Sequence, residues 1–213
     1  MDKLLSESGC PWDREQTHQS LRENMLEEAY EAVDAINNND MESLVEELGD
    51  VLLQVVFHAK IAEMANTFTM DDIISAISNK LINRHTHIFG NEKATSAAEA
   101  LRIWESNKKK SDNPSQAIAS VPKAFPALVR AAKVIKYSQK KLSCQETIIN
   151  EIQTDLNALL MPNKPHLDII GNILLKIVCL STILGVNAEF SLTNAIEEFI
   201  TTNIPRKPAD SGL

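Results

Sequence analysis

The scarcity of helix-breaking residues constrains this chain more than any other feature of its sequence. No proline occurs between Pro11 and Pro114, and the 213 residues include only six glycines. That share of glycine is less than half the usual value of about 7%, whereas β-rich folds need glycine in turns and bulges. The sequence therefore predicts an all-α protein, long enough for one large domain or two modest ones.

Charge and cysteine content exclude several classes of partner. A net charge of −8 and a pI of about 5.2 argue against a nucleic-acid polymer, whose phosphates need a basic surface. The three cysteines, Cys10, Cys144 and Cys179, are too widely spaced for a disulfide framework or a zinc pattern, which favours a reducing cytoplasm.

The N-terminus lacks an apolar signal segment. The longest apolar stretch, 173–186, contains Lys176 and is predicted to form a buried helix too short to cross a membrane.

Hydrophobic periodicity predicts five helices. Asp40, after a run of asparagines, is a plausible N-cap for the second helix. That helix is apolar nearly all round over residues 51–62, so most of it is expected to be buried. The predicted spans, in chain order, are about 21–36, 41–65, 69–84, 94–110 and the apolar run 173–186.

The chain also shows an internal repeat at a spacing of 122 residues. Residues 46–53 align with 168–175, and at the same offset 68–70 align with 190–192, while Arg84 meets Arg206. One offset that holds across two helices favours a duplication, although any two amphipathic helices share some likeness. Three prolines mark 111–126 as a linker. The predicted organisation is a first domain at 1–110, that linker, and a second domain at 127–213.

Two pairs of acidic residues form the most distinctive polar feature of the first half. Glu28/Glu31 and Glu47/Asp50 are each spaced three residues apart, so each pair projects from one helix face. Two antiparallel helices joined by a short turn would bring four carboxylates to one site. All four can stay ionised there only if their negative charge is offset, and divalent cations would supply the positive charge.

The ligand set at such a site contains only oxygen, which favours Mg²⁺ or Mn²⁺ over zinc or copper. A di-iron carboxylate bundle is the natural competitor, but it combines glutamates with Glu-x-x-His pairs, and both pairs here are purely acidic. A solvated acidic stripe is the alternative that involves no metal.

Four motifs, taken in order, resemble the MazG family of all-α nucleoside triphosphate pyrophosphohydrolases. The likeness is close over residues 9 to about 110 and looser beyond. It implies tandem helical bundles, usually dimeric, that cleave nucleoside triphosphates to the monophosphate and pyrophosphate with Mg²⁺. The motifs are Cys10-Pro11-Trp12-Asp13 with Gln16-Thr17, Glu27-Glu28-x-x-Glu31 followed by Glu47-x-x-Asp50, Arg84-His85-x-His87-x-Phe89-Gly90, and Trp104-Glu105 with Lys108.

The resemblance also implies roles for individual residues. The family's metal ligands correspond to Glu28, Glu31, Glu47 and Asp50, with Glu27 as an extra or water-orienting carboxylate. The basic residues that hold the phosphate chain correspond to Arg84 and Lys108, with Lys80 a weaker candidate. Trp12, or failing that Trp104, would stack on the base with little selectivity. A tryptophan also commonly packs in a core, and Lys108 also fits an ordinary solvated run. His85 and His87 are interpreted as a structural or phosphate-side segment rather than a zinc site.

The second half departs from this pattern at the metal ligands. In the repeat alignment Glu47 becomes Ile169 and Asp50 becomes Asn172, and the acidic helix motif is reduced to residues 150–155. We therefore expect a degenerate, truncated copy retained for packing or dimerisation. Two functions stay open: a Mg²⁺-dependent pyrophosphohydrolase acting through the first half, or a non-catalytic helical scaffold or regulator descended from one.

Overall fold

A computed structural model describes residues 1–108, 113–138, 142–161 and 165–203 of the chain. These ranges hold eleven helices and no strand, which confirms the all-α prediction. The helices are α1 (Pro11–Arg14), α2 (Arg22–Asn37), α3 (Met41–Met64), α4 (Met70–Arg84), α5 (Thr86–Phe89), α6 (Ala97–Ser106), α7 (Pro114–Ala119), α8 (Ala127–Tyr137), α9 (Gln145–Ala158), α10 (His166–Leu184) and α11 (Ala188–Asn203).

The chain divides into two compact units. Unit 1, Met1–Lys108, contains α1 to α6, and unit 2, Lys109–Leu213, contains α7 to α11. In unit 1 the long helices α2 and α3 pack side by side, while α4, α5 and α6 contact one another. In unit 2, α10 packs against α8, α9 and α11. The buried apolar residues of unit 1 are Leu21, Ala32, Ala35, Phe57, Ala59, Ala62 and Ile103.

Local chemistry sets the ends of the helices that carry the acidic residues. Asn39 adopts a left-handed conformation with φ 54°, which asparagine tolerates better than most residues. The Asp40 carboxylate then accepts hydrogen bonds from the backbone N–H groups of Glu42 and Ser43 at 3.1 and 3.0 Å, as predicted for an N-cap. The turn between α2 and α3 is therefore short, and it holds the two acidic helices against each other.

Two predicted segments differ from the observed ones. The helix predicted at 94–110 spans only Ala97–Ser106, because the Ser96 hydroxyl caps its first turn by accepting from the backbone N–H of Glu99; residues 109 and 110 lie outside the described ranges. The described part of the predicted linker, 113–126, contains α7, with Pro114 at its first position and Asn113 as its cap. Proline at that position favours a helix start rather than preventing one.

In the single chain the predicted burial was wrong for most of α10, and in the apolar stretch 51–62 of α3 it was wrong for Leu52 and Leu53. In α3 the side chains of Leu52 and Leu53 are 56% and 42% exposed, and in α10 only Ile173 and Val178 are buried. Periodicity identifies an apolar surface but does not say what covers it. The other large apolar residues exposed on α10 are Leu167, Ile170, Leu174, Leu175, Ile177, Ile183 and Leu184.

Helix α10 is also long and apolar enough to cross a membrane by length and composition, with 19 residues and a mean hydropathy of 2.0. The prediction of insufficient length was wrong, because the helix begins at His166, before the apolar run. One such helix is weak support for a membrane span, since a core helix passes the same test. The Lys176 ammonium, midway along α10, pairs with the carboxylates of Asp155 and Glu151 on α9, as expected of a helix packed against protein.

A histidine pair connects the segment before α2 to α3. The Nδ1 atoms of His18 and His58 are 2.8 Å apart, and their rings stack with centroids 5.1 Å apart. Phe68 stacks on His18 at 6.2 Å. Burial, followed by the neighbouring charge of His18, lowers the pKa of His58. The folded state therefore favours neutral His58.

This lowered pKa predicts a loss of stability as the pH falls. The unfolded chain takes up a proton at His58 near the ordinary histidine pKa of about 6.5, whereas the folded chain takes it up only at lower pH, so acid favours unfolding. His58→Gln should reduce the difference in melting temperature between pH 7.5 and pH 5.5, while exposed His166→Gln should leave it unchanged. An equal pH dependence in His58→Gln and the wild type would contradict the assignment.

Candidate metal centre and phosphate-binding cluster

Three acidic side chains meet where α2 packs against α3. Glu28 lies on α2, and Glu47 and Asp50 lie one turn apart on α3. Each is partly buried, and one carboxylate oxygen from each lies within 4.8 Å of the others. The helix packing therefore gathers carboxylates from both predicted pairs around one point.

Two members of this acidic cluster (Glu28, Glu47 and Asp50) have raised pKa values, which indicates that their negative charges repel one another. Burial, followed by the charges of Asp50, Glu31 and Glu27, raises the pKa of Glu28. Burial also raises the pKa of Glu47, followed by repulsion from Glu31, Glu46, Asp50 and Glu28. A bound cation would relieve both effects. The donors are all carboxylate oxygens, which suits hard divalent cations such as Mg²⁺ and Mn²⁺.

The two other predicted acids lie around this cluster. Glu31 is exposed and acts electrostatically on both Glu28 and Glu47, but it lies outside the group within 4.8 Å. Glu27 is also exposed and acts on Glu28. The structure thus brings three of the four predicted ligands together and leaves Glu31 beside them.

The sequence interpretation missed Gln54, a buried polar residue of α3. It is only 6% exposed, and its amide lowers the pKa of Glu28 against the larger effects of burial and neighbouring charges. Its Oε1 atom is buried without a hydrogen-bond partner. The signal was its spacing, since Glu47, Asp50 and Gln54 follow the i, i+3, i+7 pattern of one helix face.

A second polar cluster forms around Trp104 on α6. The Lys108 ammonium lies 3.5 Å from the centre of the Trp104 ring, and the Arg84 guanidinium lies 5.5 Å from it. Glu105 forms an ion pair with Lys108 at 2.8 Å. Cations over a tryptophan face are attracted by its electron density, so the ring holds both basic residues in one place. The structure therefore unites three of the predicted substrate-binding residues.

A cavity of about 310 Å³ adjoins this ring. His85, His87, Ala100 and Leu101 line it together with Trp104, and the two histidine rings lie 5.6 Å apart. His85 Nδ1 bonds to the carbonyl of Leu81, and His87 Nδ1 is buried without a partner. The histidines thus lie beside the basic cluster.

The remaining candidates, Trp12 and Lys80, stand apart. Trp12 on α1 is 58% exposed, and Lys80 on α4 is exposed one turn before Arg84. Among the described residues, neither makes a hydrogen bond, ion pair or ring contact with the acidic cluster or with the Trp104 side chain.

The corresponding region of unit 2 has a different arrangement. Lys176 on α10 bonds to Asp155 at 2.7 Å and lies 3.7 Å from Glu151, both on α9. Those partners raise the pKa of Lys176, and the hydrogen bond that its ammonium donates to Asp155 has the largest effect. Within the described part of unit 2, no group of three metal-binding side chains occurs. A lysine already compensates the acids that remain there.

A protein-family model and several known proteins match this chain. Residues 16–89 match the model of the MazG nucleotide pyrophosphohydrolase domain, a range that includes the acidic cluster, Lys80 and Arg84. The chain is 37% identical over 207 residues to the nucleoside triphosphate pyrophosphohydrolase/pyrophosphatase MazG of Thermotoga maritima, covering 94% of this chain and 80% of that protein.

Two further relatives are matched over very different shares of their length. The nucleoside triphosphate pyrophosphohydrolase of Escherichia coli K12 is 35% identical over 220 residues, covering 93% of this chain and 84% of that protein. The protein YabN of Bacillus subtilis is 48% identical over 136 residues, but the match spans only 28% of its length. With most of two relatives matched and a carboxylate cluster inside the domain region, the chain belongs to the MazG family.

Proposed function

We propose that this protein hydrolyses nucleoside triphosphates to the nucleoside monophosphate and pyrophosphate, with a divalent cation held by unit 1. The observation that carries the proposal is the convergence of Glu28, Glu47 and Asp50 within 4.8 Å. It occurs in a chain whose relatives, matched over 80% and 84% of their length, bear the pyrophosphohydrolase name.

The donor set fits Mg²⁺, with Mn²⁺ as a substitute. Glu28, Glu47 and Asp50 would hold the cation, and Glu31 would complete the set from the same side of α2. When bound, such a cation lowers the pKa of coordinated water and offsets charge on phosphate oxygens. Glu27, exposed beside the cluster, would orient the attacking water and accept its proton as the water oxygen adds to the α-phosphorus and pyrophosphate leaves.

The phosphate chain would be held by the basic cluster. Arg84 and Lys108 supply positive charge, and Trp104 fixes them through its ring; Lys80 would add charge from the preceding turn of α4. Because Lys108 lies over the Trp104 ring, exposed Trp12 is the better platform for a base. Stacking on an exposed aromatic ring discriminates little between bases, so we propose broad base tolerance.

Removing a cation from the basic cluster should weaken catalysis without unfolding the protein. Charge-assisted hydrogen bonds contribute about 1.5–3 kcal/mol, so Lys108→Met and Arg84→Met should each lower kcat/KM by about 10- to 100-fold. The matched control is Lys123→Met, an exposed lysine of unit 2. Steady-state kinetics that leave kcat/KM of both variants at the control value would contradict this role.

The second unit would serve assembly rather than catalysis. Val45, Leu48 and Leu52 form an exposed apolar stripe on α3, 75%, 53% and 56% exposed, beside the acidic face of the same helix. Unit 2 also exposes most of the apolar side chains of α10. We propose that a second copy of the chain covers these surfaces in a cytoplasmic homodimer.

A panel of ribo- and deoxyribonucleoside triphosphates tests the proposed reaction. With Mg²⁺ the protein should release pyrophosphate from several bases, and without a divalent cation it should release none. Release of orthophosphate as the primary product would contradict cleavage at the α-phosphorus. Absence of turnover with every substrate would favour the scaffold interpretation.

A further inference from the structure

The basic cluster (Arg84, Lys108 and Trp104) is assembled from the ends of two helices. Arg84 is the last residue of α4, and Lys108 lies two residues beyond the end of α6. Residues at a helix end lack part of the backbone hydrogen bonding that fixes the interior. The Trp104 ring attracts both cations, but this attraction is weak where the ring is partly exposed. The position of the two cations relative to each other therefore depends on what joins the ends of α4 and α6.

The Asn107 side chain joins these two ends. Asn107 follows the last residue of α6, and its amide Nδ2 donates to the Thr86 hydroxyl at 2.8 Å. The same nitrogen lies 3.5 Å from the carbonyl oxygen of Arg84, at the long limit of a hydrogen bond. Thr86 is the first residue of α5 and lies two residues after Arg84. One amide thus connects the residue next to Lys108 with the backbone around Arg84.

The partners of this amide require an NH₂ group. The Thr86 hydroxyl donates its single proton to the Glu92 carboxylate, so its oxygen can only accept from Asn107. A backbone carbonyl also only accepts. The carboxamide nitrogen carries two protons for these two acceptors, whereas an ionised aspartate has none to donate and a serine has one. The hydrogen-bonding pattern at this position therefore favours asparagine.

The end of α6 does not itself require asparagine. This residue is favoured at helix ends where the backbone is left-handed, but Asn107 has φ −81° and ψ −5°, a right-handed conformation. Its backbone N–H bonds to the carbonyl of Ile103, and any residue except proline can make that bond. The contacts of the side chain, rather than the geometry of the helix end, account for asparagine here.

We propose that Asn107 is a positioning residue that sets Arg84 and Lys108 at the separation required to bind two neighbouring phosphate groups of the substrate. The inference rests on the proposed function, because it assigns Asn107 to the same phosphate-binding residues. A small displacement of groups that hold a substrate lowers the rate even when the altered residue lies away from the reacting atoms. Loss of a neutral hydrogen bond corresponds to an effect of about 3- to 10-fold.

Binding of methylenediphosphonate with Mg²⁺ tests this assignment in the full-length protein, since this diphosphate analogue has a P–C–P link that resists hydrolysis. Asn107→Leu keeps the approximate size of the side chain and removes the donor, so the dissociation constant should rise about 3- to 10-fold. Thr86→Val removes the acceptor and should have the same effect, whereas Thr86→Ser retains the hydroxyl and should bind as the wild type does. The matched control is Ser106→Ala, which removes an exposed hydroxyl bonded within α6 and should leave the constant unchanged.

A double-mutant cycle separates positioning from general damage to the fold. Asn107→Leu should weaken binding by a smaller factor in the Lys108→Met background than in the wild type, because it acts through Lys108. Equal factors in the two backgrounds would overturn the inference. Unchanged binding in Asn107→Leu, with weakened binding in Lys108→Met, would overturn it and leave the phosphate site intact. Unchanged binding in Lys108→Met, or no binding by the wild type, would overturn the phosphate site together with the inference.

Discussion

Replacing Asp50 by Asn, or Glu47 by Gln, should abolish hydrolysis while leaving the helix content unchanged. The amide keeps the shape of the side chain and removes the charge that the cation requires. A loss of several kcal/mol of the transition-state stabilisation that the cation supplies corresponds to a fall in kcat/KM of about 100-fold or more. Kinetics with Mg²⁺ and far-ultraviolet circular dichroism on the same samples measure the two quantities.

The same substitutions should act in the opposite direction on metal-free stability. Repulsion within the acidic cluster raises the pKa values of Glu28 and Glu47, so ionised carboxylates destabilise the fold at neutral pH. Protonation of the acidic cluster should therefore contribute stability to the metal-free wild type as the pH falls through these raised pKa values, a contribution opposite in sign to that of His58. Asp50→Asn should raise the metal-free melting temperature at neutral pH and weaken that pH dependence.

Three control substitutions separate this effect from a general loss of charge. Glu46→Gln removes an exposed carboxylate beside Glu47 that lies outside the cluster, and it should retain activity. Asp155→Asn and Asp168→Asn change acids of unit 2 and should also leave turnover near the wild-type value. Loss of activity in the unit 2 variants, with the fold preserved, would contradict the assignment of catalysis to unit 1.

Removing unit 2 should damage assembly even though every member of the acidic cluster remains. A chain truncated near Ser111 lacks α10, whose exposed apolar residues are proposed to be covered by a second copy. Full burial of such a side chain contributes about 1.5–3 kcal/mol, and small helical halves are rarely stable alone. The fragment should melt at lower temperature or show an altered mass in analytical ultracentrifugation.

A point variant distinguishes disruption of the proposed dimer interface from removal of the whole second unit. Leu175→Asp places a charge on the exposed face of α10, where Leu175 is 46% exposed. If a second copy covers that face, the variant should dissociate while retaining its helices, whereas Thr193→Asp at an exposed polar position of α11 should not. A truncated chain with the full-length oligomeric state, stability and activity would show that unit 2 is dispensable.

The sequence predicted the parts of the fold that depend on local chemistry. Asp40 caps α3 as expected, and the three-residue spacing of Glu47 and Asp50 places both on the helix face that Glu28 approaches. The sequence predicted a buried α10, whereas most of its large apolar side chains are exposed in the single chain, because periodicity does not identify what covers an apolar face. The helix at Pro114 was missed because proline starts a helix at its first position but breaks one in its interior.

Two polar residues escaped the sequence interpretation for a shared reason. Gln54 and Lys176 each lie within an apolar run, and the spacing of residues along one helix assigns neither of them a polar partner. The ion pairs of Lys176 with Asp155 and Glu151 cross from α10 to α9, and Gln54 is buried on α3 with its Oε1 atom unpartnered. Such contacts depend on how the helices pack, which spacing along one helix does not specify.

The most direct test of the central claim is the fate of the attacking oxygen. Hydrolysis of a nucleoside triphosphate in ¹⁸O-labelled water with Mg²⁺ should place the label in the nucleoside monophosphate and leave pyrophosphate unlabelled, because water adds to the α-phosphorus. Mass spectrometry of both products measures this directly. Label in pyrophosphate, or in orthophosphate released as the first product, would contradict the account.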